Sequence, residues 1–93
     1  MALLGKFTKQ PNEILDYDVD FTKWFSNRDD LPASFVTVVQ PGLTLIDSAL
    51  DGKIVKLVIS GGADGQTYKV TVRLTTNLEL VKEADFQIKV KET

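Results

Sequence analysis

The sequence predicts an all-β domain, a sandwich of six to seven antiparallel strands around one apolar core. Residues 68–75 alternate apolar and polar side chains without interruption, and successive strand residues point to opposite faces of a sheet. Comparable segments recur about every ten residues with polar or glycine-containing turns between them, which is typical of sandwiches and barrels. A chain of 93 residues, 43% hydrophobic and 26% charged, fits one globular domain.

The first predicted strand covers residues 15–21, with its apolar side chains on one face and Asp16, Asp18 and Asp20 on the other. Three carboxylates at alternate positions could suggest calcium. However, alternate strand residues are about 6.6 Å apart, too far for all three to surround one ion. We therefore expect a solvated sheet edge whose like charges discourage aggregation.

The remaining strands follow in order along the chain. Residues 22–25 could form one helical turn and lead into a polar loop over residues 26–32. The turn contains the single tryptophan, Trp24, which we expect to close one end of the core. Strands are predicted over residues 33–40, 43–48, 54–60, 68–75 and 80–92, and Asp51-Gly52 is a hairpin turn. The segment 54–60 is apolar on both faces except at Lys56, which indicates a central strand.

The apolar faces of these strands predict the core. Its members are Tyr17, Val19, Phe35, Leu57, Ile59, Tyr68, Val70, Val72, Leu74, Phe86 and Ile88. Tyr68 opens the penultimate strand after the glycine-rich segment 61–66. A tyrosine there commonly bonds through its hydroxyl to the backbone just upstream in immunoglobulin-like and fibronectin III-like sandwiches. We therefore expect an immunoglobulin-like or fibronectin III-like domain over residues 13–93.

Composition argues against most chemistry. The chain has no histidine and no cysteine, which removes the commonest general base and the thiolate metal sites. Its net charge is −2 with dispersed lysines and arginines, unlike a nucleic-acid-binding surface. No apolar run reaches the roughly 20 residues of a membrane span. We expect no catalytic residues, no cofactor and no metal, and neither nucleic acid nor membrane as a partner.

Residues 1–12 are predicted to be an extended arm that precedes the domain. Leu3, Leu4 and Phe7 stand there among polar residues and are the candidate partner-binding residues. The arm would be mobile in the free protein, because ordering it costs about 1–2 kcal/mol per residue with little burial in return. On a partner, these three side chains would supply the missing burial.

The chain resembles the phage fibre–tail adaptor proteins, small proteins of tailed phages and prophages. The resemblance rests on an opening motif, a central signature and a closing strand: Leu15-Asp16-Tyr17, Asp20-Phe21 and Trp24; Ser60-Gly61-Gly62, Gly65, Thr67-Tyr68, Val70-Thr71 and Thr75-Thr76; and Phe86, Ile88, Val90 and Glu92. Two positions depart from the family pattern. Phe35 replaces an expected tryptophan, and residues 77–80 replace a glycine-containing turn.

The resemblance implies a non-enzymatic virion protein that joins tail and fibre, or neighbouring virion parts, through protein–protein contacts. Such a protein would be made in the host cytoplasm and then incorporated into the particle. The alternative is an immunoglobulin-like module that recognises a carbohydrate on the host surface. An exposed aromatic platform at Trp24 or Tyr17 would favour the carbohydrate-binding module. Burial of both rings, with an ordered N-terminal segment, would favour the adaptor.

Overall fold

The computed structural model describes residues 2–92, with side chains from residue 5 onward. These residues form two facing sheets built from seven strands and one helical turn. The elements are β1 (Ala2–Lys9), β2 (Leu15–Asp20), α1 (Thr22–Phe25), β3 (Pro32–Val39), β4 (Leu43–Asp51), β5 (Ile54–Gly61), β6 (Thr67–Thr76) and β7 (Val81–Val90). The all-β prediction is confirmed. Within residues 2–92 no helix has the length and apolar character to cross a membrane.

One sheet has four strands in the order β1-β7-β6-β3, and the other has three in the order β2-β5-β4. The strand β5 is central, as its two apolar faces predicted. Neighbouring strands pair antiparallel except β1, which runs parallel to β7 from Ala2 opposite Ala84 to Lys9 opposite Val90. The sequence had suggested a purely antiparallel sandwich, and the parallel pairing of β1 with β7 departs from that prediction.

The core lies between the inward faces of the two sheets. All the predicted core residues are buried except Phe35, which packs against the core from a partly exposed position. The reason is that β3 is an edge strand and leaves one flank of that ring uncovered. The predicted core left out the other buried apolar residues, which are Phe21, Phe25, Leu43, Val55, Ala84 and Val90.

The N-terminal segment differs most from its prediction. Residues 2–9 do not stand apart as an arm but form a strand of the four-stranded sheet. Hydrogen bonds to β7 satisfy the backbone N–H and C=O groups of β1 that face it, and Phe7 adds apolar contacts. Together these interactions offset the entropy cost of ordering the segment. The predicted mobility of this segment does not agree with the pairing. The sheet already includes residues that precede the predicted domain boundary at residue 13.

The Tyr68 hydroxyl accepts a hydrogen bond from the backbone N–H of Ala63, 3.0 Å away. This is the predicted contact to the preceding loop, and it is confirmed. The Tyr68 ring also explains why residue 42 is a glycine. A Cβ at Gly42, where φ is +109°, would lie 2.8 Å from Cε1 of Tyr68, so glycine suits both the backbone conformation and the close approach.

Candidate partner-binding surface

The connection from β2 to β3 closes one end of the core. The Asp20 carboxylate accepts a hydrogen bond from the backbone N–H of Thr22 at 2.8 Å and starts α1. Hydrogen bonds from the Thr22 hydroxyl and amide lower the pKa of Asp20. The helical turn then places Phe25 in the core beside Phe21. This end of the sandwich is therefore held by packing as well as by hydrogen bonds.

Trp24 lies half-buried beside that turn, as expected for a residue that covers the end of the core. Its ring meets Phe25 edge-on at a centroid distance of 4.9 Å. The Arg28 guanidinium lies 4.3 Å from the Trp24 centroid, and its Nε donates to the Trp24 carbonyl at 2.9 Å. A sugar that stacked on that face would have to displace the guanidinium. Trp24 also borders a shallow depression of about 260 Å³.

The loop before β3 is joined to the β6–β7 turn by Asp30. Its Oδ1 accepts hydrogen bonds from the backbone N–H of Leu31 at 2.9 Å and of Leu78 at 3.2 Å. Desolvation alone would raise the pKa of Asp30, but hydrogen bonds from neighbouring groups, the Leu31 and Leu78 amides among them, outweigh it and lower the pKa. The Asn77 N–H donates to the Leu31 carbonyl at 2.9 Å. Hydrogen bonds therefore join the loop before β3 to the β6–β7 turn.

The β6–β7 turn is compact although it has no glycine. The Glu79 N–H donates to the Thr76 carbonyl at 3.0 Å, and the Thr76 N–H donates to the Leu80 carbonyl at 2.9 Å. Glu79 takes the positive φ of +66° that such turns require and that glycine adopts most easily. This is the turn that departs from the family pattern, and its central residue is Leu78.

An exposed apolar surface results, formed by Leu31, Leu78, Leu80 and Val81, and we call it the apolar end. Leu78 is the most exposed of the four, at 65%. Their backbones lie at the same end of the sheet, because the Leu31 carbonyl accepts a hydrogen bond from the Asn77 N–H and Val81 pairs with Thr75. Sequence reasoning did not single them out. The available signal was two leucines inside a predicted turn and a third directly before Pro32.

The residues predicted to bind a partner belong to β1. The side chains of Leu3 and Leu4 fall outside the described part of the structure. Phe7 packs edge-on against Tyr17 at 5.4 Å and Phe86 at 5.6 Å, and it remains partly exposed at the open margin between the sheets. It pairs with Ile88, whereas the apolar end lies at the opposite end of β7.

Lys9 is a buried cation that the sequence did not predict. Its Nζ donates to the carbonyls of Gly61 at 2.7 Å, Gln10 at 2.8 Å and Pro11 at 3.3 Å. Burial lowers the pKa of Lys9, and Glu13 opposes that shift. Because backbone carbonyls from separate segments hold the ammonium, its role is to fasten the end of β1 to the end of β5.

The aspartates of β2 are exposed on the outer face of the three-stranded sheet. Asp18 pairs with Lys56, which also lies 3.7 Å from Asp51. Within residues 2–92 no group of three or more acidic side chains converges on a point that could hold a metal ion. The prediction that this row binds no calcium tightly remains to be tested in solution.

Comparison with known families decides the identity of the chain. Residues 9–89 match the family described as podophage GP4 fiber-tail adaptor protein gp77. The chain belongs to this family. The resemblance noted from the sequence is thereby confirmed, and membership supports a structural adaptor role in a phage particle. No curated protein matches the sequence.

In this fibre–tail adaptor the matched region begins at Lys9, within β1, and ends at Lys89, within β7. It contains both connections that form the apolar end, including Leu31 and Leu78. It also contains the Tyr68 contact and nearly all of the buried core. Leu3, Leu4 and Phe7 precede the matched residues.

Proposed function

We propose that the protein joins the tail and the fibre of a phage particle by protein–protein contacts, without catalysing a reaction. The observation that carries this proposal is the family match over residues 9–89. Burial of Tyr17, partial burial of Trp24 and the ordered strand β1 also favour an adaptor over a carbohydrate-binding module. The protein would be made in the host cytoplasm and then incorporated into the virion.

The fold that we propose for this role is an immunoglobulin-like sandwich. The support is the strand order, in which β2, β5 and β4 form one sheet while β3, β6 and β7 lie in the other. That division corresponds to the BED and CFG strands of immunoglobulin-like domains. The Tyr68 hydroxyl bonded to the Ala63 backbone at the start of β6 adds a second shared feature.

We place the partner contact at the apolar end. Protein interfaces combine an apolar centre with a polar rim. Leu31, Leu78, Leu80 and Val81 provide such a centre, with charged residues such as Asp29 close to it in the chain. Burial of apolar surface contributes about 25 cal/mol per Å². The Asp30 bonds hold the two connections in place, so little ordering cost remains when a partner binds.

The test replaces Leu78 with aspartate and measures incorporation of the protein into particles whose own copy of the gene is disabled. The 65% exposure of Leu78 means that L78D should fold normally. A charge in the centre of an apolar interface should reduce incorporation at least about tenfold, which corresponds to about 1.4 kcal/mol. Thermal melts of the isolated protein establish that the variant is folded.

The matched control is Ile14→Asp. Ile14 is 62% exposed, and it follows β1 at the end of the molecule where β7 finishes, far from Leu78. I14D should be incorporated like the unmodified protein. If both variants are incorporated normally, the apolar end is not the contact surface. If both fail while remaining folded, the effect of L78D is not specific to that surface.

A further inference from the structure

Strand β3 has an unusual free edge. It pairs with β6 on one side, and among the described residues no strand pairs with it on the other. Its sequence, Pro-Ala-Ser-Phe-Val-Thr-Val-Val, contains no charged residue. Val36 and Val38 are 57% and 53% exposed on its outward face. A long neutral edge rich in β-branched residues is a template for another strand.

The other three sheet edges carry features that oppose such pairing. β2 exposes an aspartate at every outward position. β4 has a register shift inside the strand, between Leu45 and Asp47, and β1 has one between Leu3 and Lys6. The register shift of β3, between Pro32 and Ser34, lies at the start of that strand and leaves the rest of it regular. Charges and bulges of this kind are the usual protection of edge strands against association. Among these four edges, only β3 combines a long neutral strand with exposed apolar side chains.

Symmetry restricts how two β3 edges can pair. In an antiparallel pair, residues directly opposite each other lie on the same face of the sheet. A two-fold axis relates identical surfaces, so an inward-facing residue must oppose an inward-facing one. The central residue of the ladder must therefore face itself across the axis. Centring on Val36 aligns the five residues from Ser34 to Val38, all beyond the register shift at Ala33, and keeps Pro32, which has no N–H, out of the ladder.

We propose that two copies of the protein associate through antiparallel pairing of their β3 edges, with Val36 opposite Val36 on the two-fold axis. The two four-stranded sheets then become one continuous sheet. On the outer face Val38 packs beside Ser34 of the second copy, and on the inner face Phe35 meets Thr37. Each of these contacts joins uncharged groups, so the strand is complementary to itself.

A second copy suits this edge because the pairing brings no charge against another charge. The net charge of −2 per chain adds little long-range repulsion. Pairing of two strand edges buries less surface than a stable interface, which usually buries about 800 Å² per partner. Association should therefore depend on concentration. The pairing also leaves the apolar end uncovered for a different partner.

The experiment uses the full chain and measures molecular mass by sedimentation over about three decades of protein concentration. The unmodified protein should shift from monomer to dimer. V36K and V36E should each remain monomeric, because each places two like charges directly opposite one another. An equimolar mixture of the two variants should recover the dimer at low ionic strength, since the introduced charges are then opposite in sign.

The control is Ile14→Lys, which introduces the same charge at a position that is 62% exposed but lies outside β3 and outside the apolar end. I14K should dimerise like the unmodified protein, and thermal melts should show that all variants are folded. The proposal is overturned if the unmodified protein stays monomeric or if V36K still dimerises. Failure of the mixture to associate, or assembly beyond two copies, overturns the two-fold register.

Discussion

Two tyrosine hydroxyls in one core have contrasting surroundings. Tyr68 accepts a hydrogen bond from the Ala63 N–H, whereas the buried Tyr17 hydroxyl has no hydrogen-bond partner among the described residues. A buried polar group without a partner reduces stability, while one with a partner contributes modestly. The same chemical change at the two positions should therefore have opposite consequences.

Tyr68→Phe should lower the free energy of unfolding by about 0.5–1.5 kcal/mol, because the Ala63 N–H loses its acceptor. Tyr17→Phe is the matched control and should leave stability unchanged or increase it. Urea denaturation of the two variants and the unmodified protein provides the comparison. Equal losses of stability in both would show that the Ala63 bond has no special value.

Residue patterns predicted much of this core but not its polar contacts. Alternation along β2, β6 and β7 identified inward residues because one face of each strand is mostly buried and the other mostly exposed. Lys9 could not be predicted to be buried, since the Gly61 carbonyl that accepts from its ammonium lies 52 positions away in the sequence. The apolar end was missed for a similar reason. Asp30 brings Leu31 beside Leu78 across 48 positions in the sequence.

At the scale of elements, β1 shows what the sequence pattern lacked. Residues 1–12 show no sustained alternation, so nothing local indicates a strand. Its partner, β7, lies at the other end of the chain, and parallel pairing leaves no hairpin turn to reveal it. The strands from β2 onward were predicted within a few residues because turns and alternation mark them locally.

Deleting residues 1–10 should destabilise the isolated domain, because it exposes Tyr17 and Phe86 and removes the Lys9 contacts. We expect a loss of at least about 2 kcal/mol, since burial of one large apolar side chain contributes about 1.5–3 kcal/mol. Phe7→Ala keeps the backbone pairing and should lose less. Calorimetric melts measure both. An unchanged melting temperature in the truncated protein would mean that β1 contributes little to the fold.

At the scale of the whole molecule, resistance to acid should depend on the carboxylates that fasten the end containing α1. The pKa of Asp30 is lower in the folded protein than its usual 3.8. The unfolded chain therefore binds its proton at higher pH than the folded one. The stability that this group contributes is complete above about pH 4 and is lost as the pH falls through the folded pKa. Asp20, with its own lowered pKa, adds to the same trend.

Asp30→Asn keeps an oxygen that can accept from Leu31 and Leu78 but removes the titrating group. Its stability should fall less steeply than that of the unmodified protein between about pH 5 and about pH 2. Denaturant titrations across this range measure the slope. Asp29→Asn makes the same charge change one residue away and serves as the control. Identical slopes for D30N and the unmodified protein would contradict the assigned role of Asp30.

The parallel pairing of β1 with β7 also has a mechanical consequence. Ala2 lies beside Ala84 and Lys9 beside Val90, so the first strand starts at one end of the molecule and the last strand finishes at the other. A pulling force between those two points acts along both strands and loads their hydrogen bonds in shear, all at the same time. Peeling open a hairpin would load its bonds one after another. Pairing of β1 with β7 thus resists tension that is applied along these two strands.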